Sequence, residues 1–229
     1  MLTVGDGDLS FSVALKRSGC SVDASTLAVD AEDLIQRYPT SAIREHVAEI
    51  GSVLFGVDAT RLPRRRRYDR IILNFPCVDV GRGADCQNPD TGKIDRDAVS
   101  ANQKLVADFV ASAKGILTKY GEVIITHKTK PPYCWWNLPN IVVKDLRWRG
   151  SLVFDRVAFP PYVNKKAKSP KSFNASDARM YVFSTMSSSS ACPAADRMRG
   201  TLMKKRHLLR RISPSLVCAV QNAFINTTH

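Results

Sequence analysis

What the sequence lacks narrows it before any motif is read. No apolar run approaches the ~20 residues that a membrane-spanning helix needs. The N-terminus also lacks the basic-then-apolar layout of a secretory signal. Both absences point to a reducing compartment. The six cysteines, Cys20, Cys77, Cys86, Cys134, Cys192 and Cys218, include no C-x-x-C pair, and the four histidines do not cluster beside them. Neither a zinc site nor a disulfide framework is therefore indicated, and the thiols read as buried or inert. No internal repeat is visible. Acidic charge is scarce, with 21 Asp+Glu against 34 Lys+Arg and a formal net charge of +13. Such an imbalance favours a polyanionic partner, nucleic acid ahead of membrane.

What is present is the alternation of an α/β protein. The chain opens MLTVGDGDLSFSVALKR: Leu2 to Val4 read as a strand, Gly5 and Gly7 as a tight turn, and the residues from Leu9 as the start of a helix. The third glycine of a dinucleotide loop is replaced by Ser10. Asp6 and Asp8 stand where a pyrophosphate would meet backbone N–H groups. Two carboxylates repel phosphate and suit a ligand end that carries a positive amine or sulfonium, the character of S-adenosylmethionine. That argues against an oxidoreductase; a plain Gly/Asp turn is the alternative.

STLAVD then reads as strand two ending at Asp30, which is either a ribose ligand at the spacing of nucleotide folds or a helix N-cap. AEDLIQRYP and SAIREHVAEIG read as helices, Val53 to Phe55 as strand three, and Asp58 as the start of its exit loop. Arg64 to Arg67 form a basic loop, solvated or touching RNA. YDRIILNFP gives strand four, with Asn74, Phe75 and Pro76 at its carboxyl end. The stretch from Cys77 to Lys93 is long and polar, as in a functional loop. A helix of about six turns begins at Asp95, with Ala98, Asn102, Leu105, Phe109, Ala113 and Ile116 on one side. Gly121 is expected to precede strand five, EVIITHKTK; SLVFDRVAF and ARMYVFSTM supply the last two strands. Seven strands, the last pair joined by a loop, predict a mostly parallel sheet with one antiparallel strand. Residues 1–186 form the expected domain, and 187–229 a Ser-rich linker and basic tail.

The combination of VGDGDLSFS, GVDAT, ILNFP, a helix containing Asn102, and GEVIITHKTKPPYCWWN resembles the 25S ribosomal RNA uridine methyltransferases, which modify ring nitrogen 3 of uridine. The resemblance runs from Val4 to about Phe183, through FPPYVNKKA and SFNASDARMYVF. It implies a Rossmann-like class I methyltransferase fold, S-adenosyl-L-methionine as cofactor, ribosomal RNA or a pre-ribosomal particle as partner, and a nuclear or nucleolar location, the cytoplasm being the alternative. By the same resemblance Gly5, Asp6, Gly7, Asp8, Leu9 and Ser10 would wrap the methionine portion. Asp30 would bind the ribose, Asp58 and Ala59 would approach the adenine, and Asn74, Phe75 and Pro76 would face the methyl-transfer crevice. Family members commonly continue N-F-P with histidine and glycines. Here Cys77, Val78 and Asp79 follow, with Gly81 and Gly83 later.

Methylating uridine nitrogen 3 requires its proton to leave or the developing anion to be stabilised. Lys128 is the expected stabiliser and Asp79 a weaker candidate base. His127 alternates toward the sheet, where a buried, satisfied ring is the expectation. Tyr133, Trp135 and Trp136 could hold an unstacked base, or the tryptophans could close the core. Lys165, Lys166, Lys168 and Lys171 form a candidate phosphate track. A non-catalytic RNA-binding or ribosome-assembly protein that keeps the fold is the competing reading.

Overall fold

The computed structural model describes residues 1–78, 94–167 and 171–185. The strands are β1 (Leu2–Val4), β2 (Asp23–Ser25), β3 (Val53–Leu54), β4 (Tyr68–Asn74), β5 (Leu117–Lys128), β6 (Leu146–Val153) and β7 (Ala178–Thr185). They form one seven-stranded sheet in the order β3-β2-β1-β4-β5-β7-β6. β7 runs antiparallel to both neighbours and the other pairs are parallel. This is the Rossmann-like methyltransferase arrangement expected from the sequence. The order reverses at β1, so β1 and β4 leave a crevice beyond their carboxyl ends.

Helix α1 (Ser10–Arg17), α2 (Ala31–Arg37) and α3 (Ile43–Ile50) cover one face, and α4 (Arg96–Lys114) covers the other. On the α4 side Phe109, Val110 and Ala113 pack with Ile71, Leu73, Val123 and Ile125. On the opposite side Ile72 and Ile124 meet Phe11, Phe154 and Met180. The central strands are thus apolar on both faces, as a covered parallel sheet requires. Each large side chain fully buried there contributes about 1.5–3 kcal/mol. The buried stripe of α4 is Ala98, Asn102, Val106, Phe109, Val110 and Ala113. Leu105 lies at its margin.

Several expected boundaries move. β2 ends at Ser25, not Asp30, because β1 offers only Leu2 to Val4 for it to pair with. Thr26 to Val29 bend away with Leu27 and Val29 exposed, and Asp30 caps α2 by accepting from the Asp33 N–H at 2.8 Å. β5 starts at Leu117 and runs through Gly121. A Cβ there would lie 3.0 Å from the Tyr68 carbonyl, so glycine lets the strands close where their register shifts between Tyr68 and Arg70. β6 starts at Leu146 and includes Trp148, while Arg156–Ala158 form a 3₁₀ turn. The 187–229 linker and tail, Lys168, and most of the polar loop, Asp79 included, lie outside the described residues.

Candidate functional site

The β1–α1 turn and the carboxyl end of β4 enclose a cavity of about 100 Å³. Gly5, Asp6, Gly7 and Asp8 form one wall, Asn74 and Phe75 another, and Tyr38, Tyr162, Val163, Lys165 and Phe173 the remainder. Gly5 takes φ +60, which lets the chain turn directly off the strand. A Cβ on Gly7 would lie 2.7 Å from the Tyr38 ring, so only glycine admits that ring.

The two aspartates of the turn are turned into it. Asp6 accepts from the Ser12 N–H at 2.7 Å and from the Ser12 hydroxyl, which ties the turn to the first turn of α1. Burial raises its carboxyl from the ordinary 3.8 to about 6, with the Ser12 hydrogen bonds pulling the other way. Asp8 accepts from the Ser10 N–H at 3.1 Å and the Ser10 hydroxyl at 2.5 Å. Its carbonyl accepts from His46 Nδ1 at 2.7 Å, and its other carboxylate oxygen faces Lys165 Nζ at 3.5 Å. Ser10 Oγ also accepts from the Val163 N–H at 3.3 Å. Leu9, with φ 64, is fully buried among α1 to α3 and points away from the cavity.

At the end of β4 the chain turns sharply. Phe75 takes φ 50, an unfavourable conformation for a bulky residue, and donates its N–H to the Thr126 carbonyl at 2.8 Å. Its ring meets Phe173 edge-on at 4.9 Å and Phe154 at 5.7 Å. Asn74 lines the cavity, and its Oδ1 is buried with no partner among the described residues. Neighbouring Thr126, paired to Asn74 in register, has a buried hydroxyl in the same condition. Pro76 is buried beside them.

Other sequence candidates fall elsewhere. Asp30 and Asp58 are exposed and cap short helices, Asp58 accepting from the Thr60 N–H at 2.8 Å, and Ala59 packs on the α4 core. Trp136 is 1% exposed and its ring lies 4.1 Å from that of His127, so it cannot stack a target base. Its volume is used by the core instead. His127 is buried as expected but not satisfied, since neither ring nitrogen has a partner among the described residues. Burial, with Lys128 adding, lowers it to about 3, and it is neutral at physiological pH. Lys128 Nζ sits 4.2 Å over the half-buried Tyr133 ring. Lys165 is drawn in to Asp8 and is not part of an outward phosphate track, whereas Lys166 and Lys171 are exposed. Tyr38, Tyr162, Val163 and Phe173 received no role from the sequence, although FPPYVNKKA contains two of them. Among the described residues no helix is long and apolar enough to cross a membrane, and no cluster of His, Cys, Asp or Glu could hold a metal.

The cavity is acidic, as a ligand end with a positive amine or sulfonium requires. Its volume is below the roughly 300 Å³ at which small-molecule sites begin, so the cavity holds only part of a nucleoside-sized ligand. Among curated proteins, the chain is 32% identical over 179 residues to heavy metal-associated isoprenylated plant protein 41 of Arabidopsis thaliana, across 72% of this chain and 32% of that protein. It is 25% identical over 185 residues to uncharacterized protein At4g26485 of the same plant, across 72% of this chain and 81% of that protein. Among solved structures, TrmN from Thermus thermophilus aligns with TM-score 0.45 and 17% identity, over 81% of this chain and 43% of that one. The chain therefore spans about a third of the first relative's length. A family model described as rRNA (uridine-N3-)-methyltransferase BTM5-like matches residues 2–166, which take in both walls of the cavity, and the chain belongs to this BMT5-like family.

Proposed function

We propose that the protein transfers a methyl group from S-adenosylmethionine to ring nitrogen 3 of a uridine in large-subunit ribosomal RNA. The observation that carries this reading is the placement of the acidic Gly5–Asp8 turn and Asn74 on one cavity at the switch point of the sheet. The cofactor supplies a methyl group on a positively charged sulfonium. Asp6, Asp8 and the turn would hold its cationic portion, with Asp8 exchanging Lys165 for the ligand. Asn74 Oδ1 offers an acceptor to a ring N–H, and Phe75, fixed by Phe154 and Phe173, offers an apolar wall. Lys128, held over Tyr133, stands at the end of β5 as the cation that would stabilise the uracil anion left when the nitrogen-3 proton passes to water. Positioning donor and acceptor together is worth roughly 7–11 kcal/mol over a free encounter. Ribosomal RNA or a pre-ribosomal particle is the proposed partner, the nucleolus the proposed location, and residues 187–229 the proposed accessory tail.

Mass-spectrometric mapping of ribosomal RNA in cells lacking the protein tests the activity. Loss of one N3-methyluridine, restored by the intact chain, is expected; an unchanged methylation map overturns the reading. A second expected outcome concerns pH. A ligand ammonium beside the turn favours ionised Asp6, so S-adenosylhomocysteine, which keeps that amine though not the sulfonium charge, should bind more weakly as pH falls through about 6, by up to about tenfold per unit. Below that pH binding should release a proton, seen by calorimetry in buffers of different ionisation heat. Folding alone has the opposite sign. Because the folded pKa is raised, Asp6 contributes stability below its ordinary 3.8 that is lost as pH rises through about 6. Constant affinity between pH 7.5 and 5 would place the ligand away from Asp6.

A further inference from the structure

The opposite end of the sheet, where β4, β5 and β6 begin, gathers charge that the pocket does not use. Tyr68 pairs with Leu117, Ser184 with Arg147 and Thr185 with Leu146, so the loops before β4 and β6 and the first half of β5 share one rim. Hydrogen bonds fasten these pieces together. Arg67 donates to the Leu117 carbonyl at 2.8 Å, Lys114 to the Lys144 carbonyl at 2.5 Å, and Thr185 to the Lys119 carbonyl at 3.2 Å. Arg64, Arg65, Lys119, Lys144, Arg147 and Arg149 are all exposed along it. Of the acids in the same segments, Asp23 pairs with Arg66, Glu122 with Arg70 and Asp145 with Lys114, while exposed Asp69 accepts from the Thr118 hydroxyl and keeps its charge, so cations still outnumber acids. The rim is therefore strongly positive.

Two exposed aromatic rings lie on the same strands as these cations. Tyr120 is 62% exposed with Lys119 Nζ 5.2 Å from its ring centre, and Trp148 is 40% exposed on the edge strand. Cations that follow a backbone, interleaved with open aromatic faces, are the chemistry that holds single-stranded nucleic acid. The last residue of β7, Thr185, lies at this rim. The sequence beyond it carries RMRGTLMKKRHLLRRISP, seven basic residues and no acid.

We infer that this rim is a second RNA-contact surface, which grips the phosphate backbone of the substrate RNA at a distance from the target base. The inference rests on the RNA-substrate reading proposed above. β4 separates the two ends of the sheet by its seven residues, on the order of 20 Å. Only an RNA extending well beyond the modified nucleotide can occupy both.

The test uses the full-length protein and a variant carrying Arg64→Gln, Arg65→Gln, Lys119→Gln and Lys144→Gln. Arg66 and Arg67 are left intact because they hold Asp23 and the Leu117 carbonyl. Binding is measured against salt for a long ribosomal RNA fragment and for a short one holding only the target uridine and its immediate neighbours. The variant should bind the long RNA with a log–log salt slope shallower by about 2–3, at ~0.7 for each phosphate no longer neutralised. It should bind the short RNA and S-adenosylhomocysteine unchanged. An unaltered slope on the long RNA overturns the inference, as does an equal loss on both RNAs. Loss of binding to phosphatidylserine vesicles with the RNA slope intact assigns the rim to a membrane surface and also overturns it. If the unaltered protein methylates neither RNA while the slope difference persists, the rim is supported and the reading of the pocket fails.

Discussion

Replacing Asn74 by alanine should lower methyl transfer by about 10²-fold or more, the loss typical when one polar group aimed at the reacting centre is removed. Asn74 Oδ1 is buried and has no partner among the described residues, although it lines the cavity. A buried acceptor left unpaired in the free protein costs about 1–3 kcal/mol. The fold holds it there nonetheless, at the end of β4 and beside the strained Phe75. Such an arrangement is explained if the missing partner belongs to the substrate. Asn74→Ala removes the acceptor without breaking a hydrogen bond to that oxygen among the described residues, so the melting temperature should change little. The loss should fall on kcat, with S-adenosylhomocysteine affinity nearly retained. Single-turnover methylation beside a thermal melt separates the outcomes. Near-normal turnover in a folded variant would remove Asn74 from the reaction; lost stability with normal turnover would make it a structural residue.

The turn of the first seventeen residues and the end of β4 were legible because their signals are local. Gly5 needs a positive φ, Gly7 needs space, and N-F-P ends a continuous apolar strand, each within a few adjacent residues. The sheet's mixed character was legible from the loop joining the last two strands. What was not legible came from distant segments. Whether Asp30 ends a strand or caps a helix depends on the length of its neighbour β1, which its own sequence does not contain. Lys165 reads as one of several surface lysines until the loop before β7 lays it 3.5 Å from Asp8. Tyr38 ends a helix in sequence, but its ring is set against Gly7 by the packing of α2. His127 follows the strand alternation into the core, yet nothing local shows that its ring would lie against Trp136 without a hydrogen-bond partner among the described residues.

Trp136 is where the two roles open to an aromatic residue part most widely, and its substitution should have the largest effect on stability. Tyr133–Trp136 form a 3₁₀ turn four residues after β5, and the turn places the indole in the core beneath α4. There it is 1% exposed and stands first by size among the fully buried side chains. Truncation to alanine removes that packing and leaves a cavity, at a cost of about 3–5 kcal/mol. For a domain of this size each kcal/mol shifts the melting temperature by roughly 2–4 °C, so Trp136→Ala should melt on the order of 10 °C lower. Trp136→Phe keeps much of the packing and should recover most of that stability. A stacking platform for RNA would behave differently. Its truncation would leave the melt nearly unchanged and weaken RNA binding, and phenylalanine, still aromatic, would restore affinity rather than stability. Differential scanning calorimetry with RNA binding measured on the same samples distinguishes the two, and an unchanged melt for Trp136→Ala would put the indole back at the surface.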